Sequence, residues 1–246
     1  MNLRKLILTN NACFKAGRTI TPQGIMVHST GVNNPWLRRY VGPDDGFLGR
    51  NRHNNHWNQD RPGGRQVCVH AFIGKLADGS IATYQTLPWN HRGWHCGRGL
   101  RGSGNDTHIS VEICEDNLMG ADYFKKVYDE AVELCVHLCK LYGLTEQNII
   151  SHSEGHRLGI ASNHADVMHW FVRHGESMDS FRLAVRKALA ERVAQALELY
   201  TVVKGDSLWK IAAARLGSGA RHHEIRALNA LTSDTLVPGQ KLKIPK

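Results

Sequence analysis

Residues 150–170 read Ile150-Ser-His-Ser-Glu-Gly-His-Arg-Leu-Gly-Ile-Ala-Ser-Asn-His-Ala-Asp-Val-Met-His-Trp170. The stretch concentrates His152, His156, His164 and His169 with Glu154 and Asp166, the side chains that ligate divalent cations. Its apolar entrance, 147–151, reads as a short strand. Gly155 and Gly159 argue against a helix between His152 and His156, and the order of residues is not His-Glu-x-x-His. A second candidate lies far upstream, in Gly24-Ile-Met-Val-His-Ser-Thr-Gly31. There an apolar run over 24–29 predicts a buried strand that ends at His28 and Ser29. Two such strands side by side would bring His28 and His152 to one metal ion. Spacing leaves several ligand sets open: His164 and Asp166 alternate and could face different sides, and a catalytic zinc site keeps its fourth position for water.

Working outward, 67–73 and 80–86 alternate at period two across Ala77-Asp-Gly79, which signals a hairpin. Residues 107–114, Thr-His-Ile-Ser-Val-Glu-Ile-Cys, predict a further strand. Between these strands lie 31–66, rich in Asn, Arg, Gly and Pro with Trp36, Tyr40 and Trp57, and the Gly-rich loop 90–99. An irregular stretch as long as 31–66 is uncommon in a compact domain unless it serves a function, here the wall of a groove. From Asp122 the apolar residues fall at helical spacing up to Gly143, which predicts a long helix with a glycine stop. A second long helix is expected from an Asp179 N-cap, with Phe181, Val185, Ala188, Leu189, Val193, Ala196 and Leu197 on one face. Strands interleaved with helices predict an α/β fold, a central mixed β-sheet flanked by helices.

The chain is long enough for one large domain or for a medium and a small one, and 41% hydrophobic residues suffice for a core. Its formal net charge of +9 suits a polyanionic partner. The basic residues are dispersed rather than run together, so we expect no nucleic acid. No apolar run approaches the ~18 residues of a membrane span. Met1 to Thr9 has neither the apolar core nor the cleavage site of a signal peptide. The expectation is synthesis in the cytoplasm, as a monomer. Cys13, Cys68, Cys96, Cys114, Cys135 and Cys139 include no Cys-x-x-Cys pair and are expected to be reduced thiols, with Cys135 and Cys139 on an apolar helix face.

The last segment changes character. Tyr200-Thr-Val-Val-Lys-Gly-Asp-Ser-Leu-Trp-Lys-Ile-Ala212 predicts a strand, a turn and a helix capped by Asp206 or Ser207. Glu224–Asn229 and 236–245 add a helix and a strand. Through Tyr200, Val202, Gly205-Asp-Ser-Leu-Trp209, Ile211-Ala212, Ile225, Leu228-Asn229 and Leu236 to Pro245, this βααβ segment resembles the lysin-motif (LysM) module. The resemblance implies binding to glycans that contain N-acetylglucosamine, most often peptidoglycan. It divides the chain into 1–198 and 199–246.

Val27-His-Ser-Thr30, Asn105-Asp-Thr-His-Ile-Ser-Val-Glu112 and His152…His164-Ala-Asp166…Trp170 resemble the zinc-dependent type-2 N-acetylmuramoyl-L-alanine amidases over roughly 20–175. This resemblance implies zinc held by His28, His152 and Asp166, with Glu112 as general base. His164 stands where the family usually has an oxyanion-steadying lysine. His95, in Gly93-Trp-His-Cys-Gly97, matches a loop histidine beside the family's cleft, so His95, Trp94 and Asn105 are expected to contact substrate. The long spacing from His152 to Asp166 leaves His164 open as the third ligand. The implied activity is cleavage of the bond between the lactyl group of N-acetylmuramic acid and L-alanine, in the manner of a phage or prophage endolysin. The alternatives are a non-catalytic peptidoglycan-binding protein and a zinc peptidase of the stem peptide.

Overall fold

The computed structural model describes residues 1–246. The chain divides into two compact units, Met1–Arg186 and Lys187–Lys246.

In the first unit the strands are β1 (Leu3–Lys5), β2 (Gly24–Asn33), β3 (Ala71–Lys75), β4 (Ile81–Gln85), β5 (His108–Glu115) and β6 (Ile149–Ser151). They form one sheet in the order β1-β4-β3-β5-β2-β6. Only β3 and β4 pair antiparallel, across the hairpin at Asp78 and Gly79; the other neighbours are parallel. The sheet is therefore mixed, as the interleaved pattern predicts. Edge strand β1 escaped sequence reading because three residues are too few to show a period. Strand β2 runs past its expected end, so His28 sits inside the strand and a register irregularity follows between Ser29 and Asn33.

The helices of this unit are α1 (Ala12–Lys15), α2 (Ala121–Tyr142), α3 (His152–Arg157), α4 (Met168–Phe171) and the start of α5 (Met178–Gln195). Helix α2 ends at Gly143, whose φ of 65° is the left-handed conformation that glycine adopts without strain. Its buried face includes Cys135 and Cys139. Phe124 and Tyr128 of α2 meet Trp170 and Phe171 of α4 and Phe181 of α5, with ring centroids 5.2–5.6 Å apart. Helix α5 is capped by Ser177, not Asp179: the Ser177 Oγ accepts from the Ser180 N–H at 3.0 Å. Asp179 instead pairs with Arg182 at 2.7 Å. Only Met178, Phe181 and Val185 of α5 are buried; Val193 is exposed and Leu197 has passed into the next strand, so the expected apolar face is half as long as the sequence suggests. All six cysteines are unpaired, and only Cys13 is not fully buried.

Segment 31–66 packs Leu37, Tyr40, Leu48 and Trp57 against Phe72 of β3. It covers part of one sheet face and leaves a cleft beyond it.

The second unit pairs β7 (Leu197–Thr201) with β8 (Lys241–Pro245) antiparallel and packs α6 (Leu208–Leu216) and α7 (His222–Leu228) on them. Val202, Leu208, Ile211, Ala212, Ile225, Leu242 and Ile244 form its core. Ser207, not Asp206, is the N-cap of α6, its Oγ accepting from the Lys210 N–H. Asp206 accepts instead from the Tyr200 hydroxyl at 2.9 Å and the Val203 N–H at 2.8 Å. The expected division at 198/199 falls inside β7, where Leu197 already pairs with Pro245.

His70, the residue before β3, is expected to make the first unit acid-sensitive. Its Nδ1 accepts from the Ser110 N–H at 2.9 Å, and its Nε2–H donates to the His91 carbonyl at 2.7 Å. That neutral tautomer is buried, and burial lowers the pKa to about 4. The unfolded chain has an ordinary histidine near 6.5, so it binds more protons between pH 4 and 6.5 and stability is lost as pH falls through that window. Between pH 7 and pH 5 the loss from His70 is expected to be about 2 kcal/mol. His108, lowered to about 4 by burial and then by His28, adds to it. Urea midpoints at the two pH values for the wild type and His70→Leu check this: the variant is less stable at pH 7 and has the flatter pH slope. Equal slopes would remove His70 as the cause.

Candidate metal centre

Parallel strands β5, β2 and β6 lie side by side, and their carboxyl ends build the site, the usual place for a ligand in such sheets. His28 pairs in register with Glu112 on β5, and Val27 pairs with Ser151 on β6. Laterally paired residues share a face, so His28 and Glu112 emerge together while His152 follows Ser151 at the same level. His152 opens α3, which contradicts the non-helical expectation for that stretch. Ser151 caps it: its Oγ accepts from the Glu154 N–H, and Glu154 accepts in return from the Ser151 N–H. Gly155 is tolerated in this helix because the helix presses on β2. A Cβ there would lie 2.8 Å from Met26 Cε and 3.2 Å from Ala161 Cβ. Glu154 also pairs with Arg182 at 3.0 Å, and His156 Nδ1 faces the Ala161 carbonyl, so both serve the fold.

Three ligand atoms converge. His28 Nδ1 is 2.9 Å from Asp166 Oδ2, His152 Nδ1 is 3.1 Å from His28 Nδ1, and His152 Nδ1 is 3.4 Å from Asp166 Oδ2. Donors about 2.0–2.1 Å from a tetrahedral zinc lie about 3.3 Å from one another, so these side chains fit that ion with little movement. Two imidazoles and one carboxylate are also a donor set that zinc accepts. Burial alone would raise the Asp166 carboxyl. Hydrogen bonds from His152 and His28 outweigh it and hold the group far below the usual carboxylate range. Burial lowers His28 and keeps its ring neutral, the form a metal ligand needs. His164 lies outside the converging set. Its side chain is 63% exposed, its ring stacks on His152 at 4.8 Å, and its Nδ1 is 4.0 Å from Asp166 Oδ1.

The three atoms stand in a cleft of about 860 Å³. Glu112 lines it, and its Oε2 is buried without any hydrogen-bond partner. Burial, then the nearby Asp166 and Glu115 carboxylates, pushes the Glu112 carboxyl well up. Trp94 is 40% exposed on the rim, with the Arg92 guanidinium 5.3 Å from its ring. The far wall comes from 31–66, notably Arg39, Tyr40, Trp57 and Arg65, as the length of that irregular stretch suggests.

Asn105 takes a place the sequence did not anticipate. It is 0% exposed and does not line the cleft. Its Oδ1 accepts from the N–H groups of His95 at 2.7 Å and Cys96 at 3.2 Å, and its Nδ2 donates to the Gly97 carbonyl at 2.9 Å. With every polar atom engaged, it clamps the loop that carries His95. His95 lines the cleft, but its Nδ1 is turned to His28 Nε2 at 3.0 Å. Sequence reading missed Ser162, whose Oγ lies 3.3 Å from His152 Nε2 and donates to the Cys96 carbonyl at 3.2 Å. It also missed Glu115, buried at the end of β5 and 3.0 Å from His169 Nε2. Neither residue carries a sequence signal, because each acts on a partner more than nine positions away.

A profile of the N-acetylmuramoyl-L-alanine amidase family matches residues 18–169, and a LysM domain profile matches residues 200–245. N-acetylmuramoyl-L-alanine amidase CwlA of a Bacillus species is 36% identical over 70 residues, 28% of this chain and 28% of its own length. N-acetylmuramoyl-L-alanine amidase XlyA of Bacillus subtilis (strain 168) is 41% identical over 69 residues, 28% of this chain and 22% of its own length. The matched region therefore spans under a third of either relative. Among solved structures, the catalytic domain of XlyA superposes with a TM-score of 0.52 at 23% identity, covering 75% of this chain and 99% of that one. The PlyG catalytic domain gives 0.52 at 22% identity, covering 77% and 96%. These two likenesses establish the fold of the first unit.

Proposed function

We propose, on the premise that the chain belongs to the N-acetylmuramoyl-L-alanine amidase family, that its first unit is a zinc hydrolase of peptidoglycan. The bond cut is the amide between N-acetylmuramic acid and L-alanine, and the second unit is the wall tether, the arrangement of a phage or prophage endolysin. No helix is long and apolar enough to cross a membrane. One observation carries the reading: the convergence of His28 Nδ1, His152 Nδ1 and Asp166 Oδ2 within 3.4 Å in an open cleft.

In this reading those three residues hold the ion, and Asp166 rather than His164 is the third ligand. Zinc there supplies a Lewis acid for the scissile carbonyl and makes water acidic near neutral pH. Glu112 Oε2 takes the proton of the attacking water and delivers it to the leaving amine nitrogen, so that hydroxide adds to carbon and hydrogen to nitrogen. Its lack of a protein partner leaves Oε2 free for that traffic, and burial with the nearby Asp166 and Glu115 carboxylates raises its basicity. His164, on the cleft side of His152, faces the developing oxyanion. Trp94 offers an apolar ring to a sugar face.

Digestion of purified wall tests the proposal. New L-alanine amino termini over intact glycan, abolished by a chelator and restored by zinc, are the expected products. New reducing ends would identify a glycosidase, amino termini within the stem peptide would identify a peptidase, and no products with retained wall binding would identify a binder.

A further inference from the structure

We propose that His95 is the outer-sphere partner of the His28 ligand. It accepts the His28 Nε2–H once Nδ1 is given to the metal, and so supports metal affinity. The inference rests on the metal reading above.

His28 is 1% exposed, and each of its ring nitrogens faces a protein neighbour. Nδ1 faces Asp166 Oδ2 at 2.9 Å and His152 Nδ1 at 3.1 Å, while Nε2 faces His95 Nδ1 at 3.0 Å. A neutral imidazole has one N–H to place. Without a cation, the carboxylate of Asp166 attracts that proton to Nδ1, because a carboxylate only accepts. Nε2 then accepts from a His95 Nδ1–H. With a cation, Nδ1 must offer its lone pair, and the proton moves to Nε2. The only acceptor in reach is His95 Nδ1, so the His95 proton moves to its own Nε2. Each ring keeps one proton throughout, and the hydrogen bond between the rings reverses.

His152 has its own partner. Its Nε2 lies 3.3 Å from Ser162 Oγ, whose proton goes to the Cys96 carbonyl, so Ser162 accepts the Nε2–H when His152 Nδ1 offers its lone pair to a cation. Both ligands are thus set from one loop, residues 95 and 96, which Asn105 clamps through both N–H groups. Residue 95 differs from ordinary outer-sphere acceptors such as a carboxylate or a carbonyl. At one atom it must donate in the metal-free protein and accept in the loaded one, as an imidazole can. The His95 Nε2 is buried without a partner.

The test is zinc competition against a chromophoric chelator, on the full chain, for the wild type, His95→Phe, His95→Asn and His28→Ala. Removing an outer-sphere partner typically weakens metal binding 10–100-fold, and that is the loss expected for His95→Phe. His95→Asn places an amide where Nδ1 stood and recovers most of it. Long-range proton–nitrogen NMR of the wild type, metal-free and zinc-loaded, is expected to show the N–H of both rings changing position. A folded His95→Phe with zinc affinity within twofold of wild type overturns the inference, as do unchanged ring tautomers on loading. If His95→Phe does not fold, the NMR measurement alone decides. If His28→Ala binds zinc as tightly as the wild type, the metal reading itself fails, a result distinct from failure at His95 alone.

Discussion

Glu112→Gln is expected to bind zinc and wall like the wild type while its turnover on purified peptidoglycan falls by about 10²–10⁴-fold, the usual contribution of a general base. The substitution keeps size and polarity but removes the ability to accept and return a proton. Glu112 is suited to that task by three observations together. It shares the sheet face of His28 through the β2–β5 register, it lines the cleft, and its Oε2 is left without a partner. Folding is expected to survive the change, because neutralising a buried carboxylate beside Asp166 and Glu115 relieves repulsion. The measurement is release of L-alanine amino termini, with zinc content determined on the same sample. A Glu112→Gln variant that keeps more than a tenth of wild-type turnover would take Glu112 out of the mechanism. A variant that loses its zinc would show that the side chain holds the ion rather than the proton.

The second large effect is on stability. A ligand that binds only the folded protein stabilises it in proportion to the logarithm of its concentration over Kd. At a thousandfold excess over Kd that is about 4 kcal/mol. For a unit of this size it corresponds to a rise in melting temperature of roughly 8–16 °C. The three donors already lie at 2.9–3.4 Å from one another, so most of the binding energy is retained rather than consumed in ordering the site. Asp166→Ala is expected to abolish most of the rise, because it removes the one anionic donor and leaves two neutral rings to face a dication. His164→Ala is expected to keep the rise and lose activity, since His164 lies outside the converging set. Thermal melts with zinc and with chelator check both. A rise retained in Asp166→Ala and lost in His164→Ala would exchange the two assignments.

The strands, the long helix to Gly143 and the βααβ tail were legible in the sequence because each has a strong period or a stop residue. The elements misread have local physical causes. Strand β1 is too short to show a period. Helix α3 keeps a glycine because a Cβ at 155 would strike Met26, which no local pattern reveals. Helix α5 takes its cap from Ser177 because Asp179 is drawn to Arg182. The two histidines and the aspartate were marked as ligand types by sequence. That Asp166, and not His164, lies within 3.4 Å of both His28 and His152 needed the distances.

Composition, periodicity and motif spacing by themselves determined the mixed α/β class and which side chains have the chemistry for a metal site, and the resemblance of the tail to a LysM module marked it as a separate part. Those properties follow from residue type and near neighbours along the chain. Only the tertiary structure decided that Asn105 clamps a loop, that His95 turns to His28, and that Ser162 supports His152. Hydrogen bonds between residues tens of positions apart form when strands pair and loops close over them, and nothing in the local sequence encodes which donor will meet which acceptor.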